Sequence, residues 1–306
     1  MKFNLYLKSC REKYRLTQEE LVQELYNFDD SFEGLEVGTL SRWERAATQP
    51  NIKKQILIIK LFQTKCNHTF PCFESMDRES IETQLCKTSL KNIIGHQEEY
   101  ILNFPNRAFV FEDFVVKRIT VEDDLEDVLA LPYDVIENLT GNVYGLSFEK
   151  LKEWALHPSN LFLHALYQDR FAGILFSLRL KPEIFEKLIN FQLDLKDVND
   201  EDFASFEEMG CNFPIAFFAY SDYSLSMIAL KFYTHLIVNQ DFILNVGAIP
   251  LLEGAKQIIK NMNMKAHKQK KVPQGVLESF SAPLSEVLIN EPLIKMIFQK
   301  QECEED

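Results

Sequence analysis

The chain has 306 residues, a length that suggests about two domains. Apolar residues make up 46% of it and glycine and proline are scarce, a composition that excludes a disordered chain. No run of about 18 apolar residues occurs, and the first residues lack the apolar core of a signal peptide. We therefore expect no membrane contact and a cytoplasmic location.

The formal net charge of −13 is unevenly placed along the chain. Residues 1–65 contain 11 Lys or Arg and 9 Asp or Glu, whereas residues 66–306 contain 22 Lys or Arg and 37 Asp or Glu. The first part therefore carries +2 and the second −15. Because an acidic region repels phosphates, we expect any contact with nucleic acid to belong to residues 1–65.

Three short helices are predicted at the start of the chain, and the first covers residues 3–14. Thr17, followed three residues later by Glu20, is a capping box, which predicts that a second helix begins here and runs to about residue 26. A third helix fits residues 38–45. These helices indicate a small all-α domain.

The third predicted helix separates apolar from polar side chains. Helical spacing places Leu40 and Trp43 on its inner side. Its outer side carries small polar residues and an arginine, namely Thr39, Ser41 and Arg42. A capped helix followed by such a helix is typical of a helix-turn-helix.

The residues of this region resemble a known class of proteins. The run LTQEEL, the run TLSRWER and the following Pro50 are similar, in that order, to the Xre/Cro-like class of phage-repressor type regulators. The resemblance covers residues 1–65 and implies that double-stranded DNA is a partner. It departs from the class at residues 27–37, where a long acidic segment replaces a tight turn.

The resemblance also implies a role for individual residues. Thr39, Ser41 and Arg42 would contact bases, and Arg42 can bond guanine in a bidentate manner. Gln18, at the start of the second helix, would hold a phosphate or a base edge. Phosphate contacts would come from the remaining cations nearby, namely Arg45, Arg15 and Lys13. Because one short helix covers few base pairs, we expect a homodimer on two half-sites.

Residues 66–107 are predicted to be a helical connector. From residue 108 the pattern alternates between strands and helices. Strands are predicted at 109–119, 161–167, 171–180, 215–220 and 242–246, and helices at 120–131, 147–156, 182–191, 224–238 and 251–262. The lysine-rich run at 265–271 is predicted to be a solvated loop.

The order of these elements resembles the GNAT acetyltransferase fold over residues 108–300. The expected fold class is therefore α+β, with an all-α helix-turn-helix domain at 1–65 and a GNAT-like mixed-sheet domain at 108–306. In that family a glycine-containing turn after the fourth strand holds the pyrophosphate of coenzyme A at a helix N-terminus.

The positions that match this turn form a degenerate motif of Ser224, Met227 and Ala229. Ala229 fits the family pattern, whereas Ser224 replaces an Arg or Gln and Met227 replaces a Gly that lets backbone approach phosphate. We therefore expect no cofactor, with acetyl-coenzyme A as the alternative. No catalytic residue and no metal site is predicted.

These patterns predict a sequence-specific DNA-binding transcriptional regulator. Its GNAT-like domain would serve for dimerisation or for sensing a small-molecule ligand. Two alternatives stay open: an active GNAT-type N-acyltransferase fused to a DNA-binding module, and an adaptor that binds other proteins.

Overall fold

The computed structural model of the protein describes residues 2–65, 69–70, 73, 76–81, 114–120 and 125–298. The chain forms two compact units. The helical unit comprises residues 1–92, 233–241 and 288–306, and the sheet unit comprises residues 93–232 and 242–287. Most of the predicted connector lies outside the described residues, so the predicted domain boundaries stay predictions.

Four helices open the helical unit: α1 (Phe3–Lys13), α2 (Gln18–Phe28), α3 (Val37–Glu44) and α4 (Ile52–Lys65). The capping box at the start of α2 is confirmed. Thr17 Oγ1 accepts from the N–H of Glu20 at 3.1 Å, and a Glu20 carboxylate oxygen accepts from the N–H of Thr17 at 2.7 Å. Two of the four orphan donors at this helix end are thereby satisfied.

The elements of the sheet unit follow in chain order: β1 (Phe114–Arg118), α5 (Leu125–Thr140), α6 (Phe148–Leu156), β2 (Leu161–Tyr167), β3 (Arg170–Leu180), α7 (Pro182–Ile189), β4 (Gly210–Ala219), α8 (Asp222–Val238), β5 (Ile243–Ala248), α9 (Glu253–Asn261), β6 (Lys265–Val272), β7 (Gly275–Pro283) and α10 (Leu284–Val287). The residues of α8 belong to the sheet unit as far as Phe232.

The strands form one mixed sheet in the order β1-β2-β3-β4-β5-β7-β6. The pairs β1–β2, β2–β3 and β3–β4 are antiparallel, and β4 and β5 are parallel. Strand β7 pairs antiparallel with both β5 and β6. The helix α8 connects the two parallel strands, as such a crossover requires. This architecture confirms the predicted α+β class, with N-terminal helices followed by a mixed sheet.

The strands predicted at 161–167 and 171–180 are confirmed as β2 and β3, and they form a hairpin. Its two loop residues, Gln168 and Asp169, have left-handed φ values of 50° and 58°. Two consecutive residues with positive φ are typical of the type I′ turn, whose twist matches that of the strands it joins.

One face of the sheet is covered by α5, α6 and α7. Leu129, Trp154 and Phe185 of these helices belong to one core with the inward residues of β2, β3 and β4. On the opposite face Ile228 of α8 lies over Gly173, where a Cβ would come within 2.8 Å of the Ile228 side chain. A glycine in β3 therefore allows α8 to approach the sheet closely.

Two predictions for the sheet unit are wrong. The helix predicted to end at residue 131 continues to Thr140 through the buried Pro132. Burial of Leu129 and its apolar neighbours on α5 outweighs the backbone hydrogen bond that a proline removes. The lysine-rich run is strand β6, not a loop, because an edge strand can pair on one side and keep its charged side chains in solvent.

The last helix, α11 (Glu291–Phe298), belongs to the helical unit. The ring of Phe298 lies 5.2 Å from that of Phe3 and 5.3 Å from that of Tyr6, both on α1. The predicted inward residues of α3, Leu40 and Trp43, are buried in the same unit. No helix in the described ranges has the length and apolarity needed to span a membrane.

Candidate functional site

Glu44, the last residue of α3, is a buried carboxylate bonded to two other helices. Its oxygens accept from Arg11 of α1, at 2.6 Å from Nε and 3.1 Å from Nη2. The Nε2 of Gln18 in α2 donates to Glu44 at 2.8 Å. This carboxylate raises the pKa of Arg11, mainly through the hydrogen bond. The network fixes the orientation of α3 relative to α1 and α2.

The outer side of α3 carries the residues predicted to contact bases. Arg42 and Arg45 are exposed, and Thr39 and Ser41 are half-buried. Arg42 Nη2 donates to Thr39 Oγ1 at 2.8 Å, and Arg45 Nε donates to the Ser41 carbonyl at 3.3 Å. The structure therefore brings these four residues together on one helix face.

The other three residues predicted to contact DNA lie where α1 leads into α2. Lys13 and Arg15 are exposed, and Arg15 has a left-handed φ of 56°. Gln18 is half-buried and its Nε2 donates to Glu44, a contact that was not predicted. This amide group stabilises the helix arrangement, and no local pattern links two residues so far apart in sequence.

The acidic segment between α2 and α3 is folded. The Asp29 carboxylate accepts from the N–H of Ser31 at 2.9 Å, at the start of a short 3₁₀ turn. Phe32 is fully buried, and the Lys54 ammonium lies 5.7 Å from its ring centroid. Three carboxylates of the segment are exposed, namely Asp30, Glu33 and Glu36. The segment therefore adds negative charge next to the start of α3.

In the sheet unit, β4 and β5 separate after a short parallel contact that ends at Asn212 and Val246. Beyond this pair β4 carries Pro214, which has no N–H, and the register with β3 skips Ile215. A bulge and a proline both interrupt strand pairing. The two parallel strands consequently open, and a cavity lies at the opening.

This cavity has a volume of about 140 Å³. Apolar residues from both helices and strands line it, including Ile136 and Leu139 of α5, Ile215 and Phe217 of β4, Phe232 of α8, Ala255 and Ile258 of α9, and Met262 just after α9. An apolar cavity with few polar groups is the usual form of a small-molecule site. Its residues were not predicted, because they come from several elements far apart in sequence.

The polar groups of the cavity wall are bonded within the fold. Tyr144 is the one titratable residue among the described lining residues, and its hydroxyl donates to the Ile249 carbonyl at 2.6 Å. Burial raises the pKa of Tyr144. Thr140 Oγ1 donates to the Ile136 carbonyl at 2.7 Å. Neither group is placed to act as a general base, and the wall suits an apolar ligand.

The start of α8 is where the acetyltransferase resemblance implied a pyrophosphate. The turn before it consists only of Tyr220 and Ser221, without glycine. Ser221 Oγ accepts from the N–H of Ser224 at 3.1 Å, which uses a donor that a phosphate would need. The three positions of the predicted motif lie inside the helix and not in the turn: Ser224, Met227 and Ala229. These residues do not fit a coenzyme A pyrophosphate.

No group of side chains suited to a metal ion occurs in the described part of the chain. Cys10 and Cys211 are buried, and neither forms a disulfide. Burial raises the pKa of Cys211 to about 11, which disfavours the reactive thiolate. Cys211 is therefore poorly suited to act as a nucleophile at neutral pH.

No protein-family model matches the chain, and no curated protein matches it. Solved structures align with 56–58% of it. They include an agmatine N-acetyltransferase variant (11% identity, all of that chain, TM-score 0.37), an N-acetyltransferase from Staphylococcus aureus Mu50 (14%, 98%, 0.37) and an N-acyl amino acid synthase from uncultured soil microbes (8%, 94%, 0.38). Alignments at these scores do not bear on the ligand, activity or partners of this chain.

Proposed function

We propose that the chain is a DNA-binding transcriptional regulator whose sheet unit binds a small apolar ligand. The observation that carries the DNA-binding part is the network of Arg11, Glu44 and Gln18. It holds α3 rigidly by its inner side, while Arg42 and Arg45 are exposed on the outer side. A recognition helix needs both properties, because base contacts require a fixed helix and accessible side chains.

In this proposal α3 enters the major groove. Arg42 bonds guanine, and Thr39 positions it through the hydrogen bond that the two share. Arg45 and Arg15 hold phosphates, with Lys13 beside them. Glu36, the N-cap residue of α3, makes no capping bond with its side chain and can accept from the amino group of a cytosine.

The acidic segment has a consequence for affinity. Asp30, Glu33 and Glu36 are exposed near the start of α3, and residues 1–65 carry only +2. Few phosphates can therefore be neutralised, so non-specific binding should be weak and its salt dependence shallow. A homodimer on two half-sites would compensate for the small footprint, and light scattering of the DNA complex would reveal it.

The test uses the full chain and a library of genomic DNA fragments. Retained fragments are sequenced after selection at moderate salt, and the affinity for an enriched fragment is compared with that for random DNA of equal length. The proposal expects an affinity at least about a thousandfold higher for the enriched fragment. Equal affinity for both, or no retention at low salt, would favour the adaptor alternative.

The second candidate is an active N-acyltransferase. The opening between the parallel strands β4 and β5 favours it, since ligands of open α/β sheets bind where strands diverge. The start of α8 disfavours coenzyme A as the donor. Calorimetry with acetyl-coenzyme A, followed by a turnover assay on an amine, separates the candidates. Tight binding with turnover would replace our first proposal for the sheet unit.

A further inference from the structure

A second, more open cavity adjoins the apolar one in the sheet unit. Four residues line both cavities and form their shared wall: Leu139, Thr140, Leu251 and Leu252. The wall of the second cavity is more polar, because Glu253, Lys256 and Gln274 contribute to it. A ligand in the apolar cavity would therefore reach solvent past a polar mouth.

Lys256 is the cation of this mouth. The residue lies on α9 and is only 8% exposed, which is unusual for a lysine. Its ammonium donates to Glu253, and that carboxylate is its only hydrogen-bond partner among the described residues. An ammonium has three donors, so two more bonds can be formed. Glu253 itself is largely exposed, and solvent weakens the electrostatic attraction between its carboxylate and the Lys256 ammonium.

The start of α9 adds positive potential at the mouth, where Lys256 pairs with the carboxylate of Glu253. The cavity mouth includes Leu252 and Glu253, where α9 begins, and the N-cap residue Leu252 supplies no side-chain cap. The start of a helix carries a partial positive charge. A buried ammonium beside such a helix start favours a negatively charged group, and the adjoining apolar cavity favours a hydrocarbon chain.

We infer that the two cavities together bind an amphipathic carboxylic acid, with the chain in the apolar cavity and the carboxylate on Lys256. This inference rests on the proposed ligand-binding role of the sheet unit and names the ligand class. The apolar cavity of about 140 Å³ is close in size to the ~150 Å³ cavity that accommodates benzene. It therefore holds a chain of about six carbon atoms.

The mouth is closed on one side by a single hydrogen bond. Gln274, in the turn between β6 and β7, donates through Nε2 to the carbonyl of Gly141 at 3.1 Å. Gly141 directly follows the last residue of α5 and has a left-handed φ of 58°. Gln274 thus borders the carboxylate position without carrying charge, and it limits the width of the opening.

The experiment titrates the full chain by calorimetry with butyrate, hexanoate, octanoate and the uncharged 1-octanol. Affinity should rise about fourfold per added methylene until the cavity is filled, and then level off. Lys256→Met keeps the apolar stem and removes the charge. This variant should bind octanoate roughly tenfold more weakly and 1-octanol unchanged. Lys260→Met, an exposed lysine on the same helix, is the matched control and should leave both affinities unchanged.

A second variant, Ala255→Leu, fills the apolar cavity and should abolish binding of both octanoate and octanol. Circular dichroism of each variant verifies folding. Equal affinity for octanoate and octanol, with no effect of Lys256→Met, would overturn the carboxylate assignment and leave the cavity as a ligand site. Failure of every ligand to bind would overturn the inference together with the ligand-binding part of the proposed function. DNA binding, measured separately, would be unaffected by that result.

Discussion

The helical unit and the sheet unit each contain an arginine with several side-chain hydrogen bonds, and they stabilise it in different ways. In the helical unit, the half-buried Arg11 faces the carboxylate of Glu44, which raises the pKa of Arg11. In the sheet unit, Arg179 of β3 is 1% exposed and its guanidinium donates to three backbone carbonyls, namely those of Ser205, Glu208 and Phe242, at 3.1, 2.7 and 2.9 Å. Burial lowers the pKa of Arg179.

The difference concerns what is left behind when the arginine is removed. Glu44 is a side chain, so a second substitution can remove the unpaired charge. The carbonyls around Arg179 are backbone groups and stay buried whatever residue replaces it. Gly210 belongs to the same arrangement, because a Cβ there would lie 3.3 Å from Cγ and Cζ of Arg179. Any replacement of Arg179 therefore leaves backbone carbonyls without a donor, whereas Arg11 and Glu44 can be replaced together by apolar residues.

The largest expected effect is that of Arg179→Leu. Three buried carbonyls lose their donor, which should lower the free energy of unfolding of the sheet unit by about 3–5 kcal/mol. Arg170→Leu, at an exposed position of the same strand, should change it by less than about 0.5 kcal/mol. Urea unfolding followed by circular dichroism measures both. A loss below about 1 kcal/mol for Arg179→Leu would contradict the structural role.

The next effect sharpens the comparison through a double-mutant cycle. Glu44→Leu alone leaves the half-buried Arg11 and the amide of Gln18 without their shared acceptor and should cost about 2 kcal/mol. Arg11→Met together with Glu44→Leu removes both charges and should recover most of that loss. If the double variant is as unstable as the sum of the single ones, the pair is not exchangeable and the comparison with Arg179 fails.

The smallest effect is a pH dependence of the sheet unit. His157 packs against the Phe203 ring at 4.6 Å, and its Nδ1 accepts from the N–H of Ser159 at 3.3 Å. Burial lowers the pKa of His157 below its usual 6.5, partly opposed by Asp200. Its stabilising contribution is therefore complete above pH ~6.5 and is lost as the pH falls through the folded-state pKa.

Replacement of His157 by Phe should flatten the stability profile of the sheet unit between about pH 5 and 7, because the replacement cannot be protonated. The measurement is urea unfolding at a series of pH values, with the unmodified chain alongside. The effect is small because the imidazole is partly exposed to solvent. An unchanged slope would show that other groups dominate the acid sensitivity.

Features set by neighbouring residues could be predicted from the sequence. The capping box of Thr17 and Glu20 depends on residues within three positions of one another, and it is confirmed. Helix periodicity likewise predicted that Trp43 is buried. Short-range patterns of this kind survive folding because few tertiary contacts compete with them.

Features formed by distant residues could not be predicted. Glu44 meets Arg11 across 33 positions, and no local pattern encodes this pair. The position of Phe298 beside α1 depends on nearly the whole chain. The cavity likewise requires the separation of β4 from β5. The proposed role of Lys256 depends on its position at the cavity mouth, which the sequence alone does not show. The start of α8 was predicted at residue 224 and lies at Asp222, so Ser224, Met227 and Ala229 are inside the helix.

The most direct test of the central claim, that α3 reads DNA sequence, compares two substitutions on an enriched fragment and on random DNA. Arg42→Ala should lower affinity for the enriched fragment by about 1–3 kcal/mol and leave random DNA nearly unchanged. Arg45→Ala should weaken both alike and reduce the salt slope by about one. If Arg42→Ala leaves the ratio of the two affinities unchanged, α3 is not a recognition helix and the claim is wrong.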